Sequence, residues 1–105
     1  MSRLEQLKAM MADDPDDSFI LFAIAKEYEK NGDIKSAISQ FELLYKKDPS
    51  YIGLYYHLAH LYAQNDQADN AFMMYDKGIE LAKSSSDFHA LSELVNARKN
   101  LEIEL

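Results

Sequence analysis

Ser18–Pro49 reads SFILFAIAKEYEKNGDIKSAISQFELLYKKDP, two amphipathic segments joined by Asn31-Gly32-Asp33 and closed by Asp48-Pro49. In the first segment Leu21, Ile24, Ala25 and Tyr28 recur at i, i+3, i+4 and i+7, while Lys26, Glu27, Glu29 and Lys30 hold most of the far side. That spacing predicts a helix with one buried stripe. In the second, Ala37, Ile38, Phe41, Leu44 and Tyr45 recur in the same way up to Pro49, whose ring and missing N–H stop a helix. The stretch is therefore an antiparallel helix pair.

The pair repeats. A shift of 34 residues carries Pro15 to Pro49, Leu21 to Tyr55, Ile24 to Leu58, Ala25 to Ala59, Tyr28 to Tyr62, Ala37 to Ala71 and Phe41 to Tyr75. Each landing preserves size or character. Alanines at 25, 37, 59 and 71 belong where paired helices cross most closely, since larger side chains there would force the axes apart.

The period, the pattern of a large residue, Ile or Leu, a small residue and Tyr followed by Ala-x-x-x-aromatic, and the closing Asp-Pro resemble the tetratricopeptide repeat. Repeat two departs from repeat one at Asp66, which stands for Gly32, and at Lys83, where Pro is expected. Asn65-Asp66 still accommodates a left-handed turn, and without the proline the helix after Ala68 is expected to run on toward Ser84. The resemblance implies an all-α, right-handed solenoid of antiparallel helix pairs. We expect one domain over 1–105: an orphan helix in 1–14, repeats at 18–51 and 52–85, and a capping helix at 87–105.

The 105 residues suffice for one domain that buries roughly 65% of its unfolded surface. With no cysteine, disulfides, thiol chemistry and thiolate metal sites are excluded. The N-terminal MSRLEQLKAMMADD carries Glu5 and Lys8 where a signal peptide would be apolar, and no apolar run is long enough to span a bilayer. A cytoplasmic protein is the expectation. Eighteen acidic residues against eleven basic give a net charge of −7, which repels nucleic acid and anionic lipid. The basic pairs Lys46-Lys47 and Arg98-Lys99 read as cations in or near last turns of helices.

Outside the repeats, Leu4, Leu7, Met10 and Met11 share one face of an N-terminal helix expected to pack on the helix that begins at Ser18. Asp13-Asp14-Pro15-Asp16-Asp17 lacks the central glycine and closing glutamate of a calcium loop, so it reads as a turn in which Asp16, Asp17 or Ser18 caps the next helix. Asp48-Pro49-Ser50 is expected to do the same before a helix over 51–64. Gly78, inside the second helix of repeat two, costs about 1 kcal/mol relative to alanine, which implies the close approach of another helix. Beyond Ser84-Ser85-Ser86, Asp87 is a candidate N-cap, and Leu91, Leu94, Val95, Leu101 and Leu105 form one stripe with Ile103 off it.

In the family that these repeats resemble, first helices line a concave groove that receives a peptide or partner helix. Carried over by position, the groove would be lined by Phe19, Phe22, Lys26 and Lys30 from repeat one and Tyr56, His57, His60 and Gln64 from repeat two, with Ala23, Glu29, Gly53 and Ala63 beside them. Phe19, Phe22 and Tyr56 are large rings away from the repeat-forming stripe, which a short solenoid has difficulty burying. Non-covalent binding of a protein or peptide is thus the expected function. Phe22 and His60 stand where relatives that clamp a chaperone's C-terminal carboxylate carry other groups, so that ligand is not expected.

Two alternatives remain open. One is self-association as a homodimer through these aromatics or the Leu91–Leu105 stripe. The other, more remote, is a metal-binding enzyme using the His57 and His60 pair, with His89 from the next helix, although the pair lacks further ligands and no HExxH pattern is present. No phosphate loop, nucleophile elbow or Ser/His/Asp spacing points to catalysis, and no cofactor is implied.

Overall fold

The computed structural model describes residues 1–105, folded as six α-helices without strands in two compact units, Met1–Tyr51 and Ile52–Leu105. The fold class is all-α and built from helix pairs.

In the first unit, α1 (Arg3–Asp13), α2 (Ser18–Lys30) and α3 (Ile34–Lys47) follow one another through short turns. Ser2 caps α1: its Oγ accepts the Glu5 backbone N–H at 3.1 Å and donates to the Glu5 carboxylate. Asp17 caps α2 by accepting the N–H groups of Phe19 and Ile20, and Asp16 pairs with Lys47 at 2.6 Å. Part of the acidic run is thereby spent on a cap and on a tie to the last turn of α3. Leu21, Ile24 and Ala25 of α2 meet Ala37, Phe41 and Leu44 of α3 in a core from which solvent is almost fully excluded.

The other flank of α2 is covered by α1. Leu7, Ile20 and Ile24 form a buried cluster there, edged by Leu4, Met11, Ala23 and Tyr28. Ile20 lies off the stripe read from the sequence and is buried because α1 lies over it. Met10, expected on the apolar face of α1, is instead exposed. Leu4, Leu7 and Met11 fall within a narrow sector of the helix, and Met10 sits a step round from it.

In the second unit, α4 (Gly53–Gln64), α5 (Ala68–Ser84) and α6 (Phe88–Glu104) form the core. Leu58 and Ala59 of α4, Ala71 and Tyr75 of α5, and Leu94 and Leu101 of α6 are all buried. As expected without a proline, α5 runs to Ser84. The start of α4 differs from expectation: it begins at Gly53, and no side chain caps it. Asp48 ends α3, its N–H donating to the Leu44 carbonyl, and does not cap α4. Its carboxylate accepts the hydroxyls of Ser18 and Ser50, each at 2.6 Å, and these bonds hold its pKa below the ordinary carboxylate value.

Three turns share one construction. Gly32, Asp66 and Ser86 have φ of 79°, 59° and 56°, the left-handed conformation. In each, the next residue donates its N–H back across the helix end: Asp33 to the Tyr28 carbonyl at 3.0 Å, Gln67 to Tyr62 at 2.8 Å and Asp87 to Ala82 at 2.9 Å. This is the Schellman closure. The serine run therefore hides a third hairpin turn of the same kind, ended by Asp87, which caps α6 through the Ala90 N–H.

The place of α6 is fixed by Gly78. A Cβ added there would stand 2.7 Å from Tyr55 Cβ and 3.0 Å from Leu94 Cδ1, so both α4 and α6 come into contact at this point. Arg98, read as a cation near a helix end, lies in mid-helix and ties α6 to α5 instead. Its Nε donates to Asp76 at 2.6 Å, a second nitrogen bonds Glu102, and the guanidinium stacks 5.0 Å over Phe72. Leu94 and Leu101 are buried, Leu91 and Val95 half-buried, and Leu105 is exposed at the end of the stripe.

Gly78→Ala gains helix propensity of about 1 kcal/mol but inserts a methyl against Tyr55 Cβ, where overpacking costs about 1–3 kcal/mol. Urea unfolding is expected to show a net loss of stability. Ser86→Gly removes a left-handed serine without disturbing a neighbour, and a gain of about 1 kcal/mol in the same assay is expected.

Candidate functional site

The structure separates the eight residues expected to line a groove into distinct environments. On α2, Phe19 is 65% exposed in the first turn, and Lys26 and Lys30 are exposed further along. Phe22 behaves differently. It is half-buried, with its ring edge-on to Phe41 at 5.9 Å and tilted on Tyr51 at 5.0 Å, so it extends the core of its own unit. Tyr51 is itself half-buried and flanked by Asp17 and Asp48, and burial first, then these charges, raise its pKa.

On α4, Tyr56, His60 and Gln64 stand at i, i+4 and i+8 and share a face. His60 is exposed and stacks parallel to Tyr56 at 6.4 Å, whereas His57 is half-buried and meets Tyr56 edge-on at 5.4 Å. Tyr56, His60 and Gln64 line a cavity of about 610 Å³ walled by α4, α5 and α6; His57 does not. That volume lies within the range of ligand pockets.

The opposite wall is α6. Glu93, Asn96, Asn100 and Glu104 line the cavity with Ala97 and Leu101, and Tyr75 of α5 lies between the two walls. In the sequence these four polar residues fall outside the apolar stripe of α6. Their own spacing, i, i+3, i+7 and i+11, is the signal that sets them on one face. Tyr75 is 3% exposed, and its hydroxyl has no hydrogen-bond partner within the protein. Burial, then the neighbouring Tyr56 and the Glu104 carboxylate, push its pKa up to about 12.

His89 is almost fully exposed and lies 4.0 Å from Glu93. No group of three or more His, Cys, Asp or Glu side chains is gathered closely enough to hold a metal ion. The Leu91–Leu105 stripe is largely used inside its own unit, since Leu94 and Leu101 are buried. No helix is long and apolar enough to cross a membrane.

Residues 20–51 and 52–85 each match the family model of the tetratricopeptide repeat. The chain belongs to the tetratricopeptide repeat family. A tetratricopeptide repeat domain protein from Salinibacter ruber, solved in solution, is 40% identical over 85% of this chain and 90% of its own, with a TM-score of 0.79. A crystal structure of a tetratricopeptide repeat domain protein from the same organism is also 40% identical, covers 82% and 96% of the two chains, and gives a TM-score of 0.78. The type III secretion translocator chaperone SycD of Yersinia enterocolitica shares the fold, with a TM-score of 0.88 at 15% identity over 96% of this chain and 70% of that one. No curated protein matches the sequence. The tetratricopeptide repeat fold is generally a protein–protein interaction module, and the family is typically non-enzymatic.

The raised Tyr75 pKa has a definite sign. An ordinary tyrosine ionises near 10.0. The unfolded chain therefore loses this proton before the folded one, so the stability that Tyr75 contributes is complete below pH 10 and is lost as pH rises toward 12. Ultraviolet phenolate titration is expected to show a tyrosine ionising near pH 12 that is absent in Tyr75→Phe.

Proposed function

We propose that this tetratricopeptide repeat chain is a non-catalytic binding module for a segment of another protein, acting as one domain over residues 1–105. The first helix of each repeat supplies the contacting face: Phe19, Lys26 and Lys30 on α2, and Tyr56, His57, His60 and Gln64 on α4. Phe22 belongs to this set as the ring that braces the α2 face from below. The observation that carries the reading is the cavity beside α4, where Tyr56 and its stacked His60 offer aromatic area and Gln64 offers a hydrogen-bonding rim. Aromatic anchors edged by polar groups are the composition of a protein-binding hot spot. Non-covalent recognition needs nothing further: no general base, nucleophile or metal has to be positioned.

The test compares affinity capture from a lysate of the source organism by the wild type, by Tyr56→Ala and by Phe19→Ala. Circular dichroism melts confirm that each variant is folded. A partner retained by the wild type is expected to be depleted at least about tenfold by Tyr56→Ala, the loss typical of a hot-spot truncation. Partners retained equally by all three proteins would show that these faces are not the binding surface.

A further inference from the structure

The cavity between α4 and α6 carries more information than aromatic area alone. Its lining includes two carboxylates, Glu93 and Glu104, and no lysine or arginine. The nearest guanidinium, Arg98, is committed elsewhere, to Asp76 and Glu102. His89, on the outer side of Glu93, is 4.0 Å from it. The field inside the cavity is therefore negative, in a chain whose net charge is already −7.

Geometry sets the spacing of what would fit. Glu93 and Glu104 are separated by eleven helical rises, about 16 Å. About five residues of extended chain span the same distance. Between the carboxylates, Asn96 and Asn100 stand one turn apart on the cavity face, both exposed. Each carboxamide offers two donors and an acceptor. Such groups suit a backbone whose own N–H and C=O are unpaired, as in an extended segment, and not a helix, whose backbone is satisfied internally. The Tyr75 hydroxyl, which bonds no group of the protein, belongs to the same lining near Glu104 and Tyr56 and offers an occupant one more polar contact.

We propose that this cavity holds an extended stretch of the partner protein about five residues long, with a lysine or arginine at each end beside Glu93 and Glu104, and with Asn96 and Asn100 hydrogen-bonded to the backbone between them. The proposal rests on the reading of the α4 face as a binding surface. It adds the chemistry of the partner: a short basic segment. The Tyr56 face supports the cation nearer Glu104, because an aromatic ring attracts a cation over its plane.

The test is an NMR titration of the whole chain with acetyl-Lys-Ala-Ser-Ala-Lys-amide, with its Glu-for-Lys counterpart, and with a neutral version carrying leucine at both ends. At millimolar basic peptide, shifts are expected in amides of α6 from Glu93 to Glu104 and of α4 around Tyr56, with little response to the acidic peptide. The double variant Glu93→Gln plus Glu104→Gln is expected to weaken the basic peptide about fivefold, as two exposed ion pairs would. The proposal is overturned if the basic peptide shifts no cavity amide, if it binds the double variant equally well, or if the acidic peptide binds as strongly. Binding of the neutral peptide alone at the cavity would overturn the basic specificity while leaving the protein-binding role of the α4 face in place.

Discussion

Close contact between helices through small residues is the constraint on which the structure rests. Ala25 and Ala37 in the first unit and Ala59 and Ala71 in the second are fully excluded from solvent, where any larger side chain would push paired axes apart. Gly78 extends the same device to a third helix. By leaving room for Tyr55 and Leu94 it lets α4 and α6 both reach α5. The helical penalty of glycine is small beside the packing it permits. Phe41 and Tyr75 then occupy the space between helices as large space-fillers, so small and large residues alternate across each contact as dense packing requires.

The turns provide the second half of the construction. A left-handed residue at Gly32, Asp66 or Ser86 reverses the chain while the helix-end carbonyls remain bonded. The same closure used before α6 makes that helix a third member of its hairpin family, although its residues no longer follow the repeat. Once α6 is set by this turn, by Gly78 and by the Arg98 tie to Asp76, its polar side faces Tyr56 and His60 across open space. The cavity is a by-product of how α6 is anchored: its apolar residues are drawn to α5, and its amides and carboxylates are left toward α4.

The resulting chemistry is the kind that the proposed binding role uses. Stacked aromatic and imidazole rings, carboxamides and carboxylates provide area, hydrogen bonds and charge, and family membership sets them in a fold generally used to bind other proteins. Phe22 shows how such a surface is supported. A ring that the sequence pattern leaves off the core stripe is nonetheless held against Phe41 and Tyr51, stiffening the helix that presents Phe19 to solvent.

Helix pairs, their period, the alanine crossings and the need for a close neighbour at Gly78 were legible in the chain because each follows from local periodicity and side-chain size. The left-handed residue at Asp66 was legible for the same reason, through alignment with Gly32. The cover over Ile20, the inward turn of Phe22, the exposure of Met10 and the cross-tie of Arg98 were not, because each depends on which neighbour arrives from elsewhere in the chain. The same holds for the cavity. Asn96 and Asn100 share a face by spacing alone, but that this face looks onto Tyr56 rather than solvent follows only once α6 has packed. Short-range order is written in the spacing of residues along one helix, whereas a cavity is walled by helices whose separation no single stretch encodes.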